Sequence, residues 1–164
     1  MLLVIRPLSA GAGRPRPVRG SSYGLRMGPR LLIVAGEAAA GSGQLPGGIR
    51  SLIDAAAEIL VVSPALPARL DWLTSDTDKA SERADKRLQT VLGQLDELGA
   101  DARGRVGADD PLLAFEDAIR DFAPDHLLIG LRSEDRSGWQ ERRLLDLVLE
   151  RFELPMTVFQ LRHD

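Results

Sequence analysis

At 164 residues, 44% hydrophobic and 27% charged, the chain has the length and composition of one globular domain with its own core. It has no cysteine, which excludes disulfides and thiolate chemistry, and its two histidines, His126 and His163, are too far apart in sequence to suggest a metal cluster. The formal net charge of −3 divides into +6 over residues 1–30 and −9 over the rest; an acidic body argues against a nucleic-acid partner, and no apolar run reaches the roughly 18 residues that would suggest a membrane span.

Residues 1–28 hold SAGAGRPRPVRGSSYG, rich in Gly, Pro, Ser and Arg. Such a stretch cannot bury apolar area and is expected to be disordered. Met27 lies just ahead of the first predicted strand, so residues 1–28 read as a flexible tail or as an extension ahead of the natural start. Residues 29–164 read as the domain.

LLIVA (residues 31–35) is continuously apolar, the mark of a strand buried on both faces. A Gly-rich loop and a helix over 49–58 follow, then a second buried strand, ILVV, over 59–62. The longest helix is expected over 76–98. Its stripe Ala80, Ala84, Leu88, Val91, Leu92, Leu95 and Leu98 recurs every three or four residues, and Gly99 supplies a C-cap. DARGRVG (101–107) gives a short third strand.

Asp110-Pro111 has the form of an N-cap followed by proline at the first helical position. Leu112, Phe115, Ile119 and Phe122 form the inner face of that helix. DHLLIGL (125–131) is the fourth strand, 137–152 the fourth helix, and MTVFQL (156–161) the fifth strand. Strands alternating with helices, joined by right-handed crossovers, predict an α/β Rossmann-like three-layer sandwich. Its five-stranded parallel sheet should have order 3-2-1-4-5. Ligands in such sheets bind where the winding reverses, here at the carboxyl ends of strands 1 and 4.

Three stretches, RLLIVAGE (30–37), GADDPLLAFEDAIRDFAPDHLLIG (107–130) and RSGWQERRLLDLVLERFELPMTVFQ (136–160), resemble the universal stress protein family. The likeness is to a divergent branch associated with actinobacteria that lacks the full ATP-binding motif. Nucleotide-binding members carry an acid at the end of strand 1. After strand 4 they carry G-x-x-G, nine residues and Gly-Ser or Gly-Thr, a set that cradles phosphate. Here the acid's position falls on Ala35, followed by Gly36 and Glu37. Gly130 matches the first glycine, Ser133 replaces the second, and Arg143-Leu144 stand for the final pair.

The resemblance therefore implies a crevice bordered by Ala35, Gly36, Glu37, Val62, Gly130, Arg132, Ser133, Arg136, Ser137 and Gly138. It implies no bound cofactor by default, with ATP or AMP as the possible exception. Within GLRSEDRSGW, Arg132 and Arg136 balance Glu134 and Asp135, and Glu37 adds a negative charge that opposes a triphosphate. Ser137 with Gln140 fits a capping box. The alternative is that Arg132, Arg136 and the local amides hold a small anion. Trp139 reads as a packing anchor, and Glu134 with Asp135 as a solvated turn rather than a cation site.

GEAAAGS (36–42) lacks the P-loop lysine, and GSGQLPGG (41–48) is not a dinucleotide fingerprint, because Pro46 occupies a glycine position. No G-x-S-x-G stands between a predicted strand and helix as a nucleophile elbow requires, since GSSYG (20–24) falls in the tail, and neither histidine has a nucleophile partner in the sequence. His126 should lie at the amino end of the sheet, away from the crevice. The fifth strand is an apolar edge, and the family commonly pairs such edges, which implies a homodimer burying Met156, Val158 or Phe159. The reading is a soluble, cytoplasmic, non-catalytic regulatory or protein-interaction module of stress response with an unknown protein partner. The alternative is an adenine-nucleotide or small-anion sensor.

Overall fold

The computed structural model describes residues 28–36, 47–65, 77–108, 110–132 and 146–161. The expected fold is the observed one, a five-stranded all-parallel sheet in the order β3-β2-β1-β4-β5. Its strands are β1 (Arg30–Val34), β2 (Glu58–Ser63), β3 (Arg103–Val106), β4 (His126–Arg132) and β5 (Met156–Leu161). The helices are α1 (Gly47–Ala55), α2 (Thr77–Glu97) and α3 (Pro111–Phe122), and residues 146–151 are also helical.

Side-chain alternation along β1 explains its unbroken apolar run. Leu31, Ile33 and Ala35 pack with Ile49 and Ile53 of α1 and with Leu88, Val91 and Leu95 of α2. Leu32 and Val34 face the other way, onto Phe115, Ala118 and Phe122 of α3 and onto Val148. Both faces of the sheet are covered, so both sets of side chains must be apolar.

The first helix and second strand divide differently from the sequence reading. The helix was expected to reach Glu58, but α1 ends at Ala55 and Glu58 opens β2. The Ala57 N–H donates to the Pro29 carbonyl at 2.9 Å, and Glu58 stands in register with Arg30. Pairing with β1 thus overrides the local helical pattern. The third strand is also shorter than expected, 103–106 rather than 101–107.

Local chemistry fixes the ends of the longer helices. After α2, Gly99 takes φ 77°. Its N–H reaches the Asp96 carbonyl at 2.8 Å, and the Ala100 N–H reaches Leu95 at 2.9 Å. Those two bonds make a Schellman motif. At α3, the Asp110 carboxylate accepts from the amides of Leu112 (2.9 Å) and Leu113 (3.3 Å), with Pro111 inside the first turn. Ala123 closes α3 in the left-handed region, φ 48°, and donates to the Ile119 carbonyl. The first part of the expected fourth helix, including Ser137 and Trp139, lies outside the described residues.

Candidate functional site

The topological switch point lies between β1 and β4, which are paired from Leu31↔His126 to Val34↔Ile129. Ala35 follows β1 directly, and it is fully buried with its methyl in the α1–α2 core. Its N–H donates to the Val62 carbonyl at 2.8 Å, and its carbonyl accepts from the Ser63 hydroxyl at 3.4 Å. Val62 is itself a core residue on the opposite face, and Gly36 is half-buried. The position that the family resemblance gives to an acid is therefore a sealed apolar contact with its backbone engaged.

On the other side of the crevice, Gly130 is paired with Phe159 of β5. A Cβ on Gly130 would stand 3.0 Å from Cζ of the Phe159 ring, so the aromatic fills the space beside the glycine. Arg132 is the last residue of β4 and is paired with Leu161; its side chain lies outside the described residues, as do Glu37, Ser133, Arg136, Ser137 and Gly138. The structure thus brings Ala35, Gly36, Val62 and Gly130 to the carboxyl end of the sheet. Met156 and Phe159, expected at a subunit interface, are 4% exposed and belong to the two cores of this chain, while Val158 is half-buried.

One residue at this end escaped the sequence reading. Arg87 of α2 is 9% exposed, and its Nη2 donates to the Pro64 carbonyl at 2.7 Å just beyond β2. Its spacing was the available signal, since Arg87 lies three residues after Ala84 and four before Val91, on the buried stripe itself. A cation there can be buried because a backbone carbonyl receives it.

The opposite end of the sheet is built from charges. Arg30 Nη2 and Arg103 Nη2 lie 3.4 and 3.5 Å from Glu58 Oε2, and Arg105 Nη1 lies 3.0 Å from Asp121 Oδ2. The Arg30 guanidinium sits 4.4 Å from the centre of the Phe122 ring, within cation–π range. These residues line an open groove of about 680 Å³ over β2 and β3. His126 also lies at this end, with Nε2 2.8 Å from the Thr157 hydroxyl, and burial lowers its pKa from the ordinary 6.5. Among the described residues, no three His, Cys, Asp or Glu side chains group so as to hold a metal, and no helix is long and apolar enough to cross a membrane.

Several solved structures share this arrangement, two hypothetical proteins among them. Hypothetical protein MJ0577, the subject of a structure-based assignment of biochemical function, superposes with a TM-score of 0.57 at 12% identity, covering 84% of this chain and 99% of its own. Hypothetical protein PH0823 superposes with a TM-score of 0.51 at 13% identity, covering 82% of this chain and 98% of its own. The fold is shared. At such identities the likeness carries the architecture and nothing of the residues within it. No protein-family profile and no curated protein matches the sequence.

Proposed function

We propose that the chain is a universal-stress-protein-like domain that works as a non-catalytic regulatory or protein-interaction module in stress response, without a bound cofactor. The observation carrying this reading is Ala35. A nucleotide site of the kind the resemblance implies needs a carboxylate there, and this position holds a methyl at 0% exposure inside the core. The engagement of Gly130 by Phe159 supports the same reading, because a glycine already packed by a ring has a structural reason to be present.

A second reading, an adenine-nucleotide or small-anion sensor, draws on the crevice at the β1–β4 switch point, where ligands of doubly wound sheets bind. Isothermal titration of the full chain with ATP, AMP and phosphate, with and without Mg²⁺, separates the two. Absence of heat is expected. Micromolar binding that disappears in Arg136→Ala would overturn the module and favour the sensor. The proposed setting is cytoplasmic, and the proposed assembly is a homodimer through the β5 edge. Because Met156 and Phe159 are occupied within the chain, such pairing would use the β5 backbone and Val158. Light scattering that gives the mass of one chain at high concentration would remove the dimer.

A further inference from the structure

The sheet ends at β3, and among the described residues nothing pairs with its outer edge. The Gly107 N–H bonds inward to the Ser63 carbonyl at 2.9 Å. By the two-residue alternation of a strand, Gly104 and Val106 turn their N–H and C=O groups away from β2. Among the described residues, the edge thus offers two residues' worth of unmet backbone hydrogen bonding.

The side chains along that edge are of two kinds. Arg103 and Arg105 are two residues apart, so they share one face, the face of the 680 Å³ groove. The Arg103 side chain is 71% exposed and its contact with Glu58 is long at 3.5 Å, and Arg105 is paired with Asp121, itself 59% exposed. Glu58 is 25% exposed and shares the same oxygen with Arg30, so Arg103 keeps most of its guanidinium in solvent, and the more exposed Arg105–Asp121 pair holds its arginine loosely. On the other face Gly104 has no side chain, and half-buried Leu92 of α2 stands beside it.

We propose that β3 accepts an added strand from a protein partner whose segment alternates acidic and apolar residues. This deepens the interaction-module reading and rests on it. Acids at alternate positions would stand opposite Arg103 and Arg105 as cross-strand ion pairs, with room for their side chains in the groove. The residues between them would face Leu92. Backbone bonds to Gly104 and Val106 would fix the register, as in other strand-addition complexes. A segment with lysines at the same positions would be repelled, which gives the edge its selectivity.

The test uses the full chain and labelled heptapeptides, read by fluorescence anisotropy. The alternating peptide Glu-Val-Glu-Val-Glu-Val-Glu is expected to bind. A peptide of the same composition in blocks, Glu-Glu-Glu-Glu-Val-Val-Val, is expected to bind at least several-fold more weakly. N-methylation of alternate residues in the first peptide, which removes backbone donors and keeps every charge, is expected to abolish binding in one of its two phases. The double variant Arg103→Ala/Arg105→Ala, at an exposed and a half-buried position, is expected to weaken binding roughly tenfold. Equal binding of alternating and blocked peptides, or binding unaffected by N-methylation in either phase, would reduce the effect to charge alone and overturn the proposal. No binding of the alternating peptide, with the crevice silent towards nucleotides, would remove the β3 site and leave the module reading standing. Nucleotide binding in the crevice would remove the module reading whatever the peptides do.

Discussion

Phe159 lies against the glycine face of Gly130, directly opposite it across the β4–β5 pair, with no side chain between the ring and the β4 backbone. The ring is 4% exposed and belongs to the core beneath α1 and α2. Gly130→Ala would place a methyl 3.0 Å from the ring, so urea denaturation should show a loss of about 1–3 kcal/mol, the usual cost of overpacking. Phe159→Leu in the same chain should recover part of that loss. An additive double variant would dismiss the contact as the cause.

Two other glycines make a graded pair. A methyl on Gly107 would meet the Ala114 Cβ at 2.5 Å, an atom fixed by the α3 backbone. A methyl on Gly104 would meet the tips of Leu88 and Leu92 at 2.6 and 2.8 Å, and these can rotate away. Gly107→Ala should therefore lower the unfolding midpoint more than Gly104→Ala. The reverse order would mean that α3 shifts more readily than two leucine rotamers.

Ala123 holds a left-handed conformation at the end of α3, φ 48° and ψ 63°. An L-residue with a Cβ is strained there by about 1–2 kcal/mol, and glycine relieves the strain at some cost in unfolded-state entropy. Ala123→Gly should raise stability by up to about 1 kcal/mol. Thermal unfolding monitored by circular dichroism is the check, and a lower midpoint would refute the expectation.

Burial holds the His126 pKa below its ordinary 6.5, so between the folded value and 6.5 the unfolded chain binds more protons than the folded one. The contribution of this residue to stability is complete above pH 6.5 and is lost as pH falls through the folded pKa. Urea midpoints should fall on acidification through that window. His126→Gln, which can still reach the Thr157 hydroxyl, should flatten the response. An unchanged slope in the variant would assign it to other groups.

The fold was readable because its main determinant is written locally. LLIVA can be apolar throughout only if both faces of β1 are covered, and right-handed crossovers then leave few strand orders. Boundaries set by distant partners were not readable. Glu58 continues a helical pattern, yet it belongs to a strand because the chain at 57–58 pairs with β1, a partner distant in sequence. β5 is the edge strand that the sequence suggested, but a sequence run does not reveal that its Met156 and Phe159 pack into the two cores of the same chain. Gly130 was legible as a special position, but its reason, an aromatic ring on the neighbouring strand, was not. Ala35 and Val62 lie at the carboxyl end of β1 and β2, whereas most of GLRSEDRSGW lies outside the described residues.

The closure of Ala35 also bears on what this position can become. One nucleotide change can turn an alanine codon into an aspartate codon, so at the level of the gene an acid is a single step away. The protein opposes that step. A carboxylate at this position would enter a core of Ile33, Ile49 and Ile53, with the Ser63 hydroxyl already committed to the Ala35 carbonyl. A buried charge without partners costs several kcal/mol, a large part of the stability of a domain this size. Installing an acid would first require the surrounding apolar shell to loosen, and so the order of changes, rather than their number, guards this end of the sheet.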